Sequence, residues 1–312
     1  MKILVIDDLD PIFEELLLSS KIEVVYELNI QSKAELMALL PSYDGVVVRS
    51  KFYFDKELIS AMHEGQFIAR AGAGMDNIDV DEAAKRKIYL INAPEGNRDA
   101  VAEHVIGMVL SYYRNILISD AQIREGKWLR EDNRGFELKG KTFGIIGYGN
   151  TGKALAKKLS GFEMNVIAYD KYLTNFSDDY VHETSLNEVI SSSDILSLHI
   201  PLTSETSHFL NHEILGLARK TPLIVNTSRG KVINTSDLIQ SIKSGKVFGA
   251  CLDVLENEHI ESYNAFDYQW YNELIDSSRV VLTSHIAGWT FESYRRISEV
   301  LAAKIRSYMY NR

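Results

Sequence analysis

The sequence predicts an α/β protein made of two doubly wound domains, each built on a parallel sheet. Short apolar runs alternate with helical patterns over the first hundred residues, and the same alternation returns between Thr142 and Leu282. Parallel strands need a long crossover connection, which is most often a helix. The length of 312 residues also suffices for two separate cores.

The first series predicts five buried strands with helices between them. An uninterrupted apolar helical pattern over residues 100–116 then leads to the second series, and an amphipathic helix over 291–310 closes the chain. We expect this last helix to return to the first domain, which makes that domain discontinuous. The predicted strands are residues 3–6, 22–25, 46–48, 67–69 and 88–91, and the predicted helices include 32–40 and 79–87. The predicted first domain comprises residues 1–99 with 286–312, and the second comprises 100–285.

Composition and charge exclude several classes of protein. The net charge of −9 provides no overall positive field for nucleic acid or an anionic membrane. No apolar run reaches the ~18–20 residues that a membrane-spanning helix requires, and the first residues lack the pattern of a secretory signal. The single cysteine, Cys251, fits a reducing compartment. We therefore predict a cytoplasmic protein without nucleic-acid or membrane partners and without a metal site.

Two acids, Asp7 and Asp8, follow the first predicted strand, as acids do in response-regulator receiver domains. A receiver also requires a phosphate-accepting aspartate at the end of its third strand. That strand here ends in Val48-Arg49-Ser50, which contains no carboxylate. The receiver is therefore rejected, and we interpret the two acids as loop or helix-capping residues.

A glycine-rich turn gives the strongest local signal for a ligand. Gly147, Gly149 and Gly152 follow an apolar strand and open a helical segment over 153–159. In this context the pattern is typical of a Rossmann domain: the glycines allow a tight turn, a close pyrophosphate and close packing of helix on strand. Asp170 ends the next strand, 18 residues after Gly152, where a carboxylate binds the ribose hydroxyls and disfavours a 2′-phosphate. The predicted cofactor is NAD rather than NADP.

Four further polar side chains, Arg229, Asp253, Glu258 and His285, follow later apolar strands of the second series. Ligands bind at the carboxyl ends of parallel strands, so we expect these residues at the same edge as the glycine turn. Together they suit hydride transfer from a 2-hydroxy acid. His285 would act as the base, Glu258 would orient it and raise its pKa, and Arg229 would bind the substrate carboxylate. Asp253 is expected near the nicotinamide.

The chain resembles the D-isomer-specific 2-hydroxyacid dehydrogenase family over nearly its whole length. It departs from the family pattern at His259 and Ser284, where proline is usual, and at Trp289, where a small polar residue is frequent. These departures affect loop shape rather than functional groups. The matching segments are residues 70–77 (RAGAGMDN), 92–97 (NAPEGN), 101–104 (VAEH), 126–130 (GKWLR), 147–152 (GYGNTG), 199–203 (HIPLT), 226–230 (NTSRG), 252–254 (LDV) and 285–288 (HIAG).

The resemblance implies a flavodoxin-like substrate domain, a Rossmann NAD-binding domain, a cleft between them, and a homodimer built through the NAD-binding domains. It also implies that Arg229, Glu258 and His285 form the catalytic triad. The NAD-binding positions it implies are Gly147, Gly149, Asn150, Thr151, Gly152, Asp170, His199, Pro201, Thr206, Thr227, Asp253 and Gly288. The substrate-binding positions it implies are Arg49, Lys51, Arg70, Ala73, Gly74 and Asn97.

The sequence indicates the substrate less clearly. Arg49, Lys51, Arg70 and Arg130 resemble the basic positions of the D-3-phosphoglycerate dehydrogenase branch of the family, and they would suit a phosphorylated acid. We therefore expect oxidation of 3-phosphoglycerate to 3-phosphohydroxypyruvate, as in serine biosynthesis, by a short form without a regulatory domain. Two alternatives stay open: a glyoxylate or hydroxypyruvate reductase, and a non-enzymatic NADH-binding co-repressor.

Overall fold

The computed structural model describes residues 1–18 and 20–310. Unit 1 comprises Met1–Arg98 and Trp289–Arg312, and unit 2 comprises Asp99–Gly288. The second division therefore lies three residues beyond the predicted one, after residue 288 instead of 285. The reason is local, because the backbone N–H groups of Ile286 and Ala287 donate to a carboxylate of unit 2. The substrate-binding role of unit 1 stays a prediction.

Unit 1 is built on a five-stranded parallel sheet in the order β2-β1-β3-β4-β5. This order is the flavodoxin-like one, as predicted. The strands are β1 (Lys2–Val5), β2 (Glu23–Tyr26), β3 (Gly45–Val48), β4 (Phe67–Arg70) and β5 (Tyr89–Asn92), and the helices between them are α1 (Ile12–Leu18), α2 (Lys33–Leu39), α3 (Lys56–Ser60) and α4 (Val80–Lys85).

The chain passes from unit 1 to unit 2 within helix α5 (Pro94–Tyr113). The helical pattern predicted residues 100–116, so the helix begins six residues earlier and ends three earlier than expected. Proline favours the first position of a helix, because its missing N–H would have no helical partner there. At the other end, Asn115 has a left-handed φ of 51°, which separates α5 from the next helix.

Unit 2 is built on a seven-stranded parallel sheet in the order β12-β11-β10-β9-β6-β7-β8. Six of these strands follow the Rossmann order, as predicted, and β12 extends the edge. The strands are β6 (Thr142–Ile146), β7 (Asn165–Tyr169), β8 (His182–Glu183), β9 (Ile195–Leu198), β10 (Leu223–Asn226), β11 (Gly249–Leu252) and β12 (Val280–Leu282). The helices are α6 (Ile116–Arg124), α7 (Asn150–Leu159), α8 (Leu186–Ser192), α9 (His212–Gly216), α10 (Thr235–Lys243) and α11 (Ala265–Ile275).

Each sheet has an apolar core on both faces, because successive strand residues point to opposite sides. In unit 1, Ile3 and Val5 pack with the last helix, α12 (Phe291–Tyr310), while Leu4 packs on the opposite face. In unit 2, Phe143 packs with the apolar side of α5. Both faces of every central strand are therefore buried, which explains the continuous apolar runs in the sequence.

Each sheet has one place where the winding direction reverses. In unit 1 this switch point lies between β1 and β3, and in unit 2 it lies between β6 and β9. Helices leave neighbouring strands in opposite directions at a switch point, and the crevice at the carboxyl ends is the usual ligand site of such sheets.

Within residues 1–18 and 20–310, no helix combines the length and apolar character needed to cross a membrane. The same residues contain no group of three or more side chains suited to hold a metal ion. Cys251 is buried, and burial raises the pKa of its thiol, so it behaves as a core residue rather than a nucleophile.

Candidate active site

Loops after three neighbouring strands, β10, β11 and β12, carry the predicted triad. Nδ1 of His285 lies 2.8 Å from Oε2 of Glu258. Arg229 is near enough for its positive charge to lower the pKa of His285, and its Nη1 donates to the carbonyl of Ser228 at 2.7 Å. The fold therefore joins Glu258 to His285 directly and leaves Arg229 close to the imidazole.

A buried carboxylate, Asp253, holds the turn that presents His285. Its Oδ1 accepts the N–H of Ile286 and its Oδ2 accepts the N–H of Ala287, both at 2.9 Å. Its carbonyl also accepts the N–H of His285 at 2.8 Å. His285 has a left-handed φ of 55°, which is unfavourable for a residue other than glycine, and these hydrogen bonds offset that strain. The predicted contact of Asp253 with the nicotinamide stays a prediction.

Two polar residues that the sequence analysis did not assign complete this turn. The hydroxyl of Thr283 donates to Oδ1 of Asp253 at 2.5 Å, and Nε2 of His104 lies 3.0 Å from the same hydroxyl oxygen. Thr283 is the first residue after β12, so its strand-end position was a usable signal. His104 belongs to one of the matching segments, but nothing local links it to a residue so far along the chain.

The pKa of His285 is raised above its usual value. The hydrogen bond that Nδ1 of His285 donates to Glu258 is the largest cause of the rise. Burial lowers the pKa, the charge of Glu258 raises it further, and smaller effects of Arg229 and Asp253 oppose each other. Glu258 therefore stabilises the imidazolium form. Because Glu258 occupies Nδ1, the ring nitrogen left to exchange a proton is Nε2.

The glycine turn has the geometry of a diphosphate site. Gly147 has a φ of 97°, and a Cβ there would lie 2.4 Å from the carbonyl oxygen of His199, so only glycine fits at the switch point. Helix α7 begins at Asn150 rather than at the predicted residue 153, and no side chain caps its first turn. Its first N–H groups are therefore free of a side-chain acceptor, as in helix starts that bind anions. A Cβ on Gly149 would meet no described atom within 4 Å, which leaves room for a phosphate.

Two polar groups beside this turn also fit a dinucleotide. Asp170 accepts the N–H of Tyr148 at 2.8 Å, of Tyr172 at 2.9 Å and of Leu173 at 3.0 Å. A carboxylate has about four acceptor positions, so one remains for a ribose hydroxyl. The hydroxyl oxygen of Thr227 is buried and has no hydrogen-bond partner among the described residues, as expected where a ligand supplies the partner.

Other positions carried over from the resemblance have contacts within the chain. Nε2 of His199 lies 2.8 Å from the hydroxyl of Ser197, and burial lowers the pKa of His199 to about 4, so the ring is neutral at pH 7. The hydroxyl of Thr206 donates to the carbonyl of Pro201 at 2.6 Å and closes the turn after β9. Their contacts with the cofactor, like those of Asn150, Thr151 and Gly288, stay predictions.

In unit 1, the loop after β4 offers a carboxylate site. The N–H groups of Ala73 and Gly74 donate to no acceptor among the described residues, and consecutive N–H groups of this kind bind anions. Nδ2 of Asn92 fixes the loop by donating to the carbonyl of Ala73 at 2.7 Å. The guanidinium of Arg70 lies across the loop, 1.5 Å from where a Cβ on Gly72 would be.

The Oδ1 atom of Asn97, another predicted substrate contact, is buried without a hydrogen-bond partner in the described part of the chain. Asn97 lies in the first turn of α5. A buried acceptor of this kind costs free energy unless a donor reaches it, so it fits the predicted role.

The predicted basic segment after β3 is tied down within unit 1. Oδ2 of Asp7 accepts the N–H groups of Arg49, Ser50 and Lys51 at 2.6, 3.2 and 3.3 Å. Nζ of Lys51 donates to the carbonyl of Leu28. Asp7 therefore acts as a loop acid, one of the two roles expected for it.

The guanidinium of Arg49 stacks on an aromatic side chain. Its Cζ lies 4.8 Å from the centre of the Trp289 ring, and that ring meets the edge of Tyr294 at 5.7 Å. The hydroxyl of Tyr294 donates to Oδ2 of Asp8 at 2.7 Å. Burial and Asp8 raise the pKa of Tyr294 while Arg49 opposes them, so an acid and a cation both lie beside this phenol.

The sequence profile of the D-isomer-specific 2-hydroxyacid dehydrogenase NAD-binding domain matches residues 106–287, which is more than half of the chain. The chain belongs to this family. A hydroxypyruvate reductase of Thermotoga maritima is 38% identical over 95% of this chain and 95% of that protein. A D-3-phosphoglycerate dehydrogenase of Archaeoglobus fulgidus is 34% identical over 98% of this chain but 56% of its own length, so the chain spans about half of that relative.

The fold of the dehydrogenase is also that of solved relatives. A D-lactate dehydrogenase from Aquifex aeolicus, solved with NAD and lactic acid, superposes with a TM-score of 0.83 at 27% identity, covering 100% of this chain and 96% of that one. The protein is thus an NAD-dependent D-2-hydroxyacid dehydrogenase, and a small 2-hydroxy or 2-oxo acid is its substrate class.

Replacing Glu258 by glutamine tests the pairing of Glu258 with His285 in this dehydrogenase. The carboxylate raises the pKa of His285, so Glu258→Gln lowers it. Oxidation requires the neutral ring and falls away below that pKa, whereas reduction requires the imidazolium and falls away above it. We therefore expect both limbs, the acid limb of oxidation and the alkaline limb of reduction, to move to lower pH in profiles of kcat/KM. The exposed acid Glu261 provides the control, Glu261→Gln, and unchanged limbs in Glu258→Gln contradict the pairing.

Replacing Asp170 by alanine tests cofactor choice. The variant loses one hydrogen bond to the glycine turn, two hydrogen bonds to the loop after β7, and the charge that disfavours a 2′-phosphate. We expect the ratio of kcat/KM for NAD over NADP to fall roughly 10- to 100-fold, measured with both cofactors at saturating substrate. Asp179→Ala, at an exposed acid of the same loop, is the control. Equal use of NADP by the wild type would contradict the role of Asp170.

Proposed function

We propose that this dehydrogenase acts on a small, unphosphorylated D-2-hydroxy acid of the glycerate and hydroxypyruvate class. The observation that carries the proposal is the charge balance after β1 and β3 in unit 1. Arg49 and Lys51, the cations predicted to bind a phosphate, are accompanied by the carboxylates of Asp7 and Asp8.

This balance argues against a doubly charged group. Moving a dianion from water into a protein site requires net positive charge or many donors in compensation. Here one carboxylate already takes the three N–H groups of the segment 49–51, and the ammonium of Lys51 is engaged by a carbonyl. An uncharged hydroxyl at C3 of the substrate needs no such compensation.

The chemistry follows from the residues of unit 2. Nε2 of His285 takes the proton of the C2 hydroxyl during oxidation and returns it during reduction, and Glu258 stabilises the charged ring. Arg229 binds the carboxylate of the substrate. NAD, held by the glycine turn and Asp170, supplies the acceptor for the hydride from C2.

A second candidate, 3-phosphoglycerate, is supported by Arg49. Stacking on Trp289 leaves the in-plane N–H groups of the guanidinium available, and such a fork suits phosphate. The relatives include both a hydroxypyruvate reductase and a D-3-phosphoglycerate dehydrogenase, so the choice between the candidates rests on the charges after β1 and β3.

A panel of D-glycerate, 3-phosphoglycerate, D-lactate and glycolate with NAD separates the candidates. We expect kcat/KM for D-glycerate to exceed that for 3-phosphoglycerate by at least about tenfold, followed as NADH formation at 340 nm. In Asp7→Asn, one negative charge is removed while a side-chain oxygen still accepts the loop N–H groups. We expect this variant to raise the ratio of kcat/KM for 3-phosphoglycerate over D-glycerate roughly tenfold. The negative charge of Asp7 repels the phosphate dianion but has little effect on an uncharged C3 hydroxyl.

Asp10→Asn is the matched control, since Asp10 lies in the same loop but accepts the N–H of Ile12 at the start of α1. His285→Ala controls for background oxidation. A wild type that prefers 3-phosphoglycerate, with a KM raised by Arg49→Ala, would replace this proposal with the second candidate. NADH formation with none of the four acids would contradict both.

We also propose a homodimer formed through unit 2. Among the nine described residues of α6, none is buried. Large apolar side chains also remain exposed along the segment that follows, including Trp128 at 81% and Phe136 at 54%. A helix without a buried face gains little from folding onto its own unit, and an exposed apolar surface of this extent favours association.

The dimer has a direct test. We expect light scattering after size exclusion to give twice the mass of 35.3 kDa for the wild type, and Trp128→Glu to shift it towards the monomer. Tyr172→Glu, at an equally exposed aromatic outside this segment, is the control. A monomeric wild type at micromolar concentration would contradict the dimer.

A further inference from the structure

We propose that His104 is a positioning residue for His285, acting through the hydroxyl of Thr283 and the carboxylate of Asp253. This inference goes beyond the choice of substrate and rests only on the dehydrogenase reaction itself. All four residues lie in unit 2, and their hydrogen bonds form one chain from helix α5 to the turn that carries the imidazole.

The direction of each hydrogen bond follows from a count of protons. A hydroxyl has one proton to donate. The contact from Thr283 to Asp253 measures 2.5 Å, a length typical of an O–H group donating to a carboxylate. The oxygen of Thr283 must then accept from Nε2 of His104 at 3.0 Å. The ring of His104 therefore carries its proton on Nε2.

This arrangement satisfies a carboxylate that no water reaches. The side chain of Asp253 is fully buried, while that of His104 is 21% exposed. Nε2 of His104 also lies 3.6 Å from Oδ1 of Asp253, so the N–H dipole points towards the negative charge as well as the hydroxyl. In a buried network, each satisfied member strengthens its neighbours.

The effect on His285 comes through the backbone. The two oxygens of Asp253 receive the N–H groups of Ile286 and Ala287, and these residues follow a histidine held at a φ of 55°. If the side chain of Asp253 rotates, the turn keeps the main-chain hydrogen bond from the N–H of His285 to the carbonyl of Asp253 but loses both side-chain ones, and the imidazole loses its alignment with Glu258. We therefore expect a loss of His104 to appear in kcat, not in the binding of substrate or NADH.

Four single variants and one double variant test the chain of hydrogen bonds. His104→Phe removes the donor, whereas His104→Gln retains an N–H at similar reach. Thr283→Val removes the hydroxyl at nearly constant shape, whereas Thr283→Ser retains it. With the best acid of the panel, we expect His104→Phe and Thr283→Val each to lower kcat by roughly tenfold, with the KM of the acid and the Kd of NADH within about twofold of the wild type. Both conservative variants should retain most of kcat.

The double variant His104→Phe with Thr283→Val shows whether His104 affects kcat through the hydroxyl of Thr283 or independently of it. If His104 acts only through the hydroxyl, the double variant is no slower than Thr283→Val alone. Multiplied losses, a wild-type kcat in His104→Phe, or equal damage in His104→Gln and His104→Phe would overturn the inference. His212→Phe is the matched control, because His212 lies on α9 with an exposed side chain, and it should remain within about twofold of the wild type.

One measurement does not depend on turnover or on the substrate. Nitrogen-15 NMR of the labelled histidines of the wild type reports which ring nitrogen carries the proton. We expect a protonated Nε2 in His104, and a proton on Nδ1 with a bare Nε2 would overturn the inference even if every variant lost activity. Circular dichroism and thermal melting identify variants that fold poorly. If variants fail in this way, the tautomer of His104 in the wild type still tests the inference.

Discussion

The burial of one carboxylate, at the end of β11, is the constraint on which the position of His285 depends. Asp253 is 1% exposed, and a buried charge is tolerated only when donors surround it. Those donors are the hydroxyl and backbone groups of the segment 283–287, so this segment must fold back over the strand end. The same fold brings His285 to Glu258 and extends unit 2 to Gly288.

The regular part of the fold was accessible from the sequence because parallel strands buried on both faces appear as apolar runs. The five predicted strands of unit 1 agree with the observed strands to within one residue at each end. The start of α5 at Pro94 was missed, because the apolar pattern begins only after the polar first turn. The start of α7 was missed for a similar reason, because its first turn contains no apolar residue.

The site was accessible only in part. Strand ends and residue types predicted Arg229, Glu258 and His285, and their chemistry fits the contacts that join them. His104 and Thr283 are 179 residues apart, and no periodicity or spacing records a hydrogen bond between them. The basic segment shows the same limit. In the sequence, Arg49 and Lys51 have no acid near them. Folding brings the carboxylate of Asp7, 42 and 44 residues away, to their backbone N–H groups.

The pKa values of two histidines in unit 2 are shifted in opposite directions. The pKa of His285 is raised, chiefly by its hydrogen bond to Glu258. His199, next to Gly147 at the switch point, is held near a pKa of about 4 by burial and stays uncharged over the physiological range. Acidification therefore adds a positive charge to His285 and leaves His199 neutral. Of these two rings, only the one with an acidic partner is built to change its charge near neutral pH, although both follow strands of the same parallel sheet.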